Sequence, residues 1–318
     1  LGIAKEKIGR ITNNWWGPAG KTGPCGPDTE MFFWKSKKPV PKKFVPNDDN
    51  WVEIWNDVLM QYNKNSKGKY EEAKQKNIDT GMGLERTLAA LNQLEDNYLT
   101  KVWKPIIEEI EKLSKKSYKG NEREMRIIAD HIKASVFMIA DGIIPGNSEQ
   151  GYVLRRLIRR AIRYSKKLGI PEDQDLTTPL VKKILKIYND YDILKENKQK
   201  IINELNKEED QFEKTLDKGL KEIKKMSLGR SIHKTISGKE AFLLYQSYGF
   251  PIEMIKEVAI ETGTEVNEKG FQKEFERHQK LSRTASAGQF KSGLADNSEQ
   301  TTKLHSAAHL LLQSLKVV

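Results

Sequence analysis

From about Asn97 to Met226, apolar residues recur three and four positions apart almost without interruption, and a chain patterned this way must pack helix on helix. The spacing predicts helices over Lys104–Ser114, Glu122–Ala140, Tyr152–Leu168 and Pro179–Tyr191. A long amphipathic helix is expected over Leu194–Met226, with Leu205, Phe212, Leu216, Leu220 and Ile223 in one stripe and a solvated Lys/Glu surface elsewhere. Gly142–Gly151, holding Pro145, Gly146 and Asn147, reads as a loop. A helical module over Gly238–Thr262 and a helix over Asn267–Leu281 follow. The first part of the chain differs. Residues 1–50 are rich in Gly, Pro, Trp and Lys and read as loops and short strands, Thr29–Phe33 being the best of them. Trp51–Gln61 alternates as a strand does, with Ile54, Asn56, Val58 and Met60 on one face. Asn63–Lys69 is a polar loop and Gly81–Leu94 a helix. Strands followed by helices make the fold class α+β.

The 55 Lys and Arg against 44 Asp and Glu leave a net charge of +11. That balance favours a polyanionic partner such as nucleic acid, although lysines also serve plain solubility. The single cysteine, Cys25, excludes an internal disulfide and fits a reducing compartment. No apolar run reaches the roughly 18 residues of a membrane-spanning helix, and Leu1–Lys7 is not a secretory signal. The chain starts at Leu1, and the apolar helical pattern of Thr301–Val318 stops without a cap. It therefore reads as an internal piece of a longer protein.

Chemistry concentrates in Asn77–Leu91. Gly81 and Gly83 let backbone pass close to a ligand where a Cβ would collide. A helix entrance offers unpaired N–H groups to an anion. Arg86 adds a planar fork suited to phosphate, and Asp79 can hold an ammonium. This combination suits an amino acid and a nucleotide. The bland alternative is a capped helix with a glycine turn.

The spelling Asp79-Thr80-Gly81-Met82-Gly83-Leu84-Glu85-Arg86 resembles motif 3 of the class II aminoacyl-tRNA synthetases, specifically the alanyl-tRNA synthetases. Thr22-Gly23-Pro24-Cys25-Gly26-Pro27, Glu53-Ile54-Trp55-Asn56, Ala129-Asp130-His131-Ile132, Gly151-Tyr152-Val153-Leu154-Arg155-Arg156, Tyr248-Gly249-Phe250-Pro251 and His305-Ser306-Ala307-Ala308-His309 follow the order found in that family. The resemblance covers nearly the whole length. It implies a partial class II antiparallel-sheet core in residues 1–96 and a helical tRNA-recognition region in 97–230. A module completing that region in 231–282, a linker in 283–297 and the start of an editing domain in 298–318 would follow. Motifs 1 and 2 would precede Leu1. The implied activity is ATP- and Mg2+-dependent activation of alanine and its transfer to the 3′ end of tRNA(Ala), in a cytoplasmic enzyme with no membrane association and no obligate protein partner evident. The fragment alone should be inactive.

The resemblance also assigns residues. Asp79 would hold the α-amino group of alanine, Gly81 would leave room for its methyl, Asn56 and Val58 would line the same pocket, and Arg86 would contact the ATP phosphates. On the basic helix, Arg155, Arg156, Arg159, Arg160 and Arg163 form two adjacent rows suited to phosphate. The match directs them to the tRNA acceptor stem; the alternative is pairing with nearby glutamates. Asn147 corresponds to an asparagine that reads a G·U pair of the stem, together with an aspartate whose place is taken here by Gln246. Glutamine keeps an acceptor, loses the charge and adds a donor. His305 and His309, at i and i+4, share a helix face and would supply part of a Zn2+ site, the other ligands lying outside this chain. Two readings compete: a non-catalytic tRNA-binding module, and a free-standing deacylase of mischarged tRNA, which would need the missing zinc ligands and no Asp79–Arg86.

Overall fold

The computed structural model describes residues 2–171, 173–228 and 235–289. They fall into two compact units, one ending at Glu209 and the other starting at Asp210. The first opens with an antiparallel sheet in the order β1 (Trp15–Trp16), β2 (Gly23–Trp34), β3 (Trp51–Lys64) and β4 (Tyr70–Met82). β2 and β3 pair from Trp34↔Trp51 to Gly23↔Lys64. At Gly26 a Cβ would lie 1.8 Å from the Leu59 carbonyl oxygen, so glycine alone permits the backbones to approach where the register slips.

β4 is absent from the sequence reading. A tight turn makes it: Asn65 Oδ1 accepts from the backbone of Lys67 at 2.9 Å and Lys69 at 3.1 Å, and Gly68 takes φ +78°. Asp79 and Gly81, expected at a helix mouth, therefore lie in a strand. The helix, α1, is shorter than expected, spanning Leu84–Leu91.

The helical layer matches the periodic pattern. α2 (Lys104–Ser114), α3 (Glu122–Ala140) and α4 (Glu149–Leu168) bury Ile106, Ile110, Met125, Ile128, Ile132, Leu154 and Ile158. Each such side chain contributes roughly 1.5–3 kcal/mol. Gly169, at φ +82°, ends α4. α5 (Thr177–Ile187) begins before Pro179, because the Glu209 carboxylate accepts from the Leu176 N–H at 3.0 Å and the Thr177 hydroxyl at 2.7 Å. The expected long helix breaks at Asn197 into α6 (Asp192–Glu196) and α7 (Lys198–Leu228).

In the second unit, β5 (Thr235–Ile236) pairs in parallel with β6 (Glu265–Val266) around α8 (Gly238–Tyr248) and α9 (Ile252–Glu261), and α10 (Glu268–Gln289) closes it. Ser237 and Glu240 form a reciprocal cap on α8, and Gly249, at φ +72°, ends it. α10 runs to Gln289, into the stretch read as a linker. The pair His305 and His309 lies outside the described residues. Among the described residues no helix is long and apolar enough to cross a membrane.

The Tyr248–Pro251 motif has a packing role. Phe250 is fully buried beside Phe212, their ring centroids 5.5 Å apart. A Cβ on Gly219 would sit 2.2 Å from the Phe250 ring. Two effects of Gly219→Ala then oppose each other: helix propensity favours alanine by about 1 kcal/mol, and overpacking costs about 1–3 kcal/mol. The clash is expected to win. Urea unfolding should show Gly219→Ala as destabilised, and Gly219→Ala/Phe250→Leu as less so than the two single changes summed.

Candidate functional site

The site is set by strand register. Asn56 stands opposite Gly81 and Val58 opposite Asp79. On its other side β3 places Glu30 opposite Asn56 and Asp28 opposite Val58. Directly opposed residues share a face, so Glu30–Asn56–Gly81 and Asp28–Val58–Asp79 form two parallel rows on one surface. Val58 is the buried floor at 3% exposure, while Asp79 and Gly81 are exposed. At Gly81 a Cβ would lie 3.1 Å from Asn56 Oδ1, so the missing side chain leaves the Asn56 amide its space.

Asp28 and Glu30 escaped the sequence reading, although two carboxylates two apart on a strand are visible in Gly26-Pro27-Asp28-Thr29-Glu30. Partial burial, then the nearby charges of Glu53 and Asp28, push the Glu30 carboxyl up. Asp28 Oδ1 is buried and has no hydrogen-bond partner among the described residues. Asp28 and Glu30 thus bring two carboxylates to this face, a setting for an ammonium.

A bulge brings Glu53 to the same face. The ladder passes from Met31↔Trp55 to Phe32↔Glu53, skipping Ile54. Glu53 is thereby aligned with Phe32, Glu30 and Asp28, and Ile54 drops out of the predicted face. Arg86 Nη1 donates to the Glu53 carbonyl at 3.0 Å and lies 3.3 Å from Glu53 Oε2. Gly83 caps α1, and its bare Cα leaves room for the Arg86 stem, whose Cδ would be 3.2 Å from an added Cβ. Next to Arg86, Glu85 accepts from Lys133 Nζ of α3 at 3.0 Å. That ammonium lies 4.0 Å from the Trp103 ring centroid and 5.2 Å from that of Tyr188. Cys25 is fully buried in the sheet, consistent with a structural role.

The basic helix presents less charge than its sequence suggests. Glu208 of α7, at 3% exposure, takes Arg159 Nη2 at 2.5 Å and Arg155 Nε at 3.3 Å. Arg163 is buried. Arg160 Nη1 lies 2.9 Å from His131 Nε2, and His131 Nδ1 lies 2.9 Å from Asp130. Arg156 is half-buried. Pairing with glutamate, the alternative weighed for this helix, thus accounts for Arg155 and Arg159. Before α4, Gly146 N–H donates to the Gly151 carbonyl at 2.9 Å, and a Cβ on Gly151 would lie 2.7 Å from the Ile144 carbonyl oxygen. The loop closes on the helix, and exposed Asn147 meets Arg155, whose Nη1 donates to Asn147 Oδ1. Gln246 is exposed on α8, in the other unit. Among the described residues no group of three or more His, Cys, Asp or Glu is arranged to hold a metal.

The family model for class II (A) tRNA synthetases matches residues 1–315. The alanine–tRNA ligase of Borrelia hermsii is 46% identical over 328 residues, covering 100% of this chain and 55% of that protein. That of Treponema denticola is 47% identical over 329 residues, again covering 100% of this chain and 55% of the relative. The alanine–tRNA ligase of Halalkalibacterium halodurans is 39% identical over 301 residues, or 90% of this chain and 33% of the relative. The chain spans about half the length of the first two relatives.

The link between α1 and α3 can be tested by pH. Burial opposes ionisation of Glu85, but the Lys133 hydrogen bond and charge outweigh it, so its carboxyl sits below its ordinary value of 4.5. A lowered carboxyl stabilises the fold above its unfolded value and loses that contribution as pH falls through the folded value. Glu85→Gln should cost up to about 1 kcal/mol near neutrality. In urea unfolding the gap from the unchanged protein should close as pH drops from the ordinary value of 4.5 through the lowered folded value.

Proposed function

The chain belongs to the class II tRNA synthetase family, and from that membership we propose that it is the part of an alanine–tRNA ligase carrying the amino-acid face of the aminoacylation site and a helical tRNA-recognition region. In the proposed parent reaction the alanine carboxylate attacks the α-phosphate of ATP and expels pyrophosphate, and the alanyl group then passes to the 3′ end of tRNA(Ala) with release of AMP. The observation that carries this reading is the cross-strand register of Asn56 with Gly81 and Val58 with Asp79. Four residues from two separate stretches of sequence meet on one face as a single small pocket would require.

In this reading Asp79 accepts hydrogen bonds from the alanine ammonium and the Asn56 amide fixes the substrate's orientation. Val58 and the bare Gly81 leave space for one methyl. A pocket of this kind excludes larger side chains by collision. It discriminates weakly against glycine, since one methyl is worth about 1–3 kcal/mol. It passes serine too, which gives the full-length protein a use for editing of mischarged tRNA. Arg86, steadied by Glu53, faces the ATP phosphates. ATP enters with Mg2+, and the carboxylates of Glu30 and Glu53 on this face have the hard oxygen chemistry that ion takes. Rate enhancement would come from holding the alanine carboxylate in line with the α-phosphate and from cationic groups around it. Zinc at His305 and His309 belongs, in this reading, to the editing function of the full-length protein.

For tRNA, phosphate contact would fall mainly to Arg156 and Arg160, and base reading in the acceptor stem to Asn147 and Gln246. RNA exposes base edges in its shallow minor groove, within reach of a side-chain amide.

Two measurements on the full-length protein test the reading. Asp79→Ala should lower alanine-dependent pyrophosphate exchange roughly ten- to hundredfold, the worth of a hydrogen bond to a charged group; near-normal exchange at saturating alanine would remove the assignment. Arg156→Gln or Arg160→Gln should weaken all acceptor stems about equally and flatten the salt dependence by roughly one charge each. A loss confined to one stem sequence would refute the phosphate role.

A further inference from the structure

An exposed asparagine is an ambiguous reader of RNA. Its carboxamide has an acceptor oxygen and a donor nitrogen of similar shape, and rotation about its last bond exchanges them. Asn147 stands in the exposed loop before α4, yet its amide is engaged: Arg155 Nη1 donates to Asn147 Oδ1. A guanidinium carries donors only, so the atom facing it must be the oxygen. The two N–H donors of Asn147 then point away from Arg155.

Arg155 is itself fixed. Its Nη2 donates to the Pro145 carbonyl at 3.4 Å, and its Nε lies 3.3 Å from Glu208 Oε1. Glu208 is almost fully buried and is also held by Arg159 at 2.5 Å. The Gly146–Gly151 closure holds the loop at the right height for this contact. The guanidinium thus spans from a buried carboxylate, held by charge, to an exposed amide, held by a hydrogen bond.

We infer that Arg155, anchored by Glu208, is a positioning residue that locks Asn147 as a hydrogen-bond donor, so that Asn147 reads an acceptor on the base edge of the RNA minor groove. The target chemistry is a pyrimidine O2 or a purine N3, not the guanine 2-amino group, which is a donor; G·U and G·C both carry these acceptors, but the wobble slides the uracil toward the major groove, so a donor held in one place separates the pairs by the position of the acceptor. The inference rests on the base-reading role proposed for Asn147. It gives Arg155 a task other than binding phosphate.

The test is equilibrium binding of the full-length protein to two acceptor-stem hairpins differing only in a G·U or a G·C pair at the recognised position. Asn147→Ala should reduce the G·U preference roughly three- to tenfold, the worth of one hydrogen bond. Arg155→Lys keeps the charge, but one ammonium cannot bridge Glu208, Pro145 and Asn147 as a planar fork does. It should lose the preference by the same factor, hold G·C binding within about twofold, and add nothing in the double variant with Asn147→Ala. Asn147→Asp keeps a partner for Arg155 and the loop's shape but has no donor, so it should match Asn147→Ala. This exposed-loop change serves as the second variant if Arg155→Lys disturbs folding.

Retained preference in Arg155→Lys alongside loss in Asn147→Ala would overturn the positioning role and leave the base-reading role standing. Equal weakening of both stems in Arg155→Lys would make Arg155 a phosphate contact. Retained preference in Asn147→Asp would overturn the donor assignment. An unchanged preference in Asn147→Ala, or none in the unmodified protein, would remove the base-reading role and this inference with it.

Discussion

The pairing of β3 with β4 is the constraint on which the rest depends. It places Asn56 against Gly81 and Val58 against Asp79. A slip of one residue would turn each of these side chains to the other face. Several local features hold the register. Asn65 organises the turn, Gly26 lets β2 approach the Leu59 backbone, and the Gly83 N–H donates to the Ile54 carbonyl at 2.9 Å where β4 passes into α1. Glu85 then ties α1 to Lys133 in the helical layer. The proposed amino-acid face is thus built from hydrogen bonds of the sheet itself, with the side chains added on a surface already fixed.

Charge is used differently in the two parts of the first unit. The sheet face gathers Asp28, Glu30, Glu53 and Asp79, and Glu30 responds by holding its proton more tightly. The α4 region does the reverse. It buries Glu208 and surrounds it with Arg155 and Arg159. Removing Glu208 would leave buried guanidinium charge uncompensated, a costlier state than the intact pair. The arginine-rich sequence of α4 is therefore partly an internal scaffold, and only what remains exposed is available to a polyanion.

What was legible in the sequence was local and periodic. α2, α3 and α4 followed from spacing, β3 from alternation, and the buried stripe of Leu205, Phe212, Leu216 and Ile223 from the same rule. β4 was hidden because Glu71, Glu72, Lys74 and Lys76 mask any alternation in a strand exposed along nearly its whole length. The start of α5 depends on Glu209, 32 residues away from Thr177, and no local signal could announce it. The Ile54 bulge, which re-aims Glu53, and the seat of Phe250 over Gly219 are likewise tertiary facts. Asp79, Gly81, Asn56 and Val58 were named from motif resemblance; that they form cross-strand pairs was not readable from spacing.

The central claim is that alanine is held on the sheet face between Asp79 and Asn56, over Val58 and Gly81. A crystal structure of the full-length protein with a non-hydrolysable alanyl-adenylate analogue tests it most directly. The account predicts the analogue's ammonium about 3 Å from an Asp79 carboxylate oxygen, its methyl over Val58 beside Gly81, and its phosphate mimic on the Arg86 side. An analogue bound on the opposite face of the sheet, or with its ammonium held by groups other than Asp79, would contradict it.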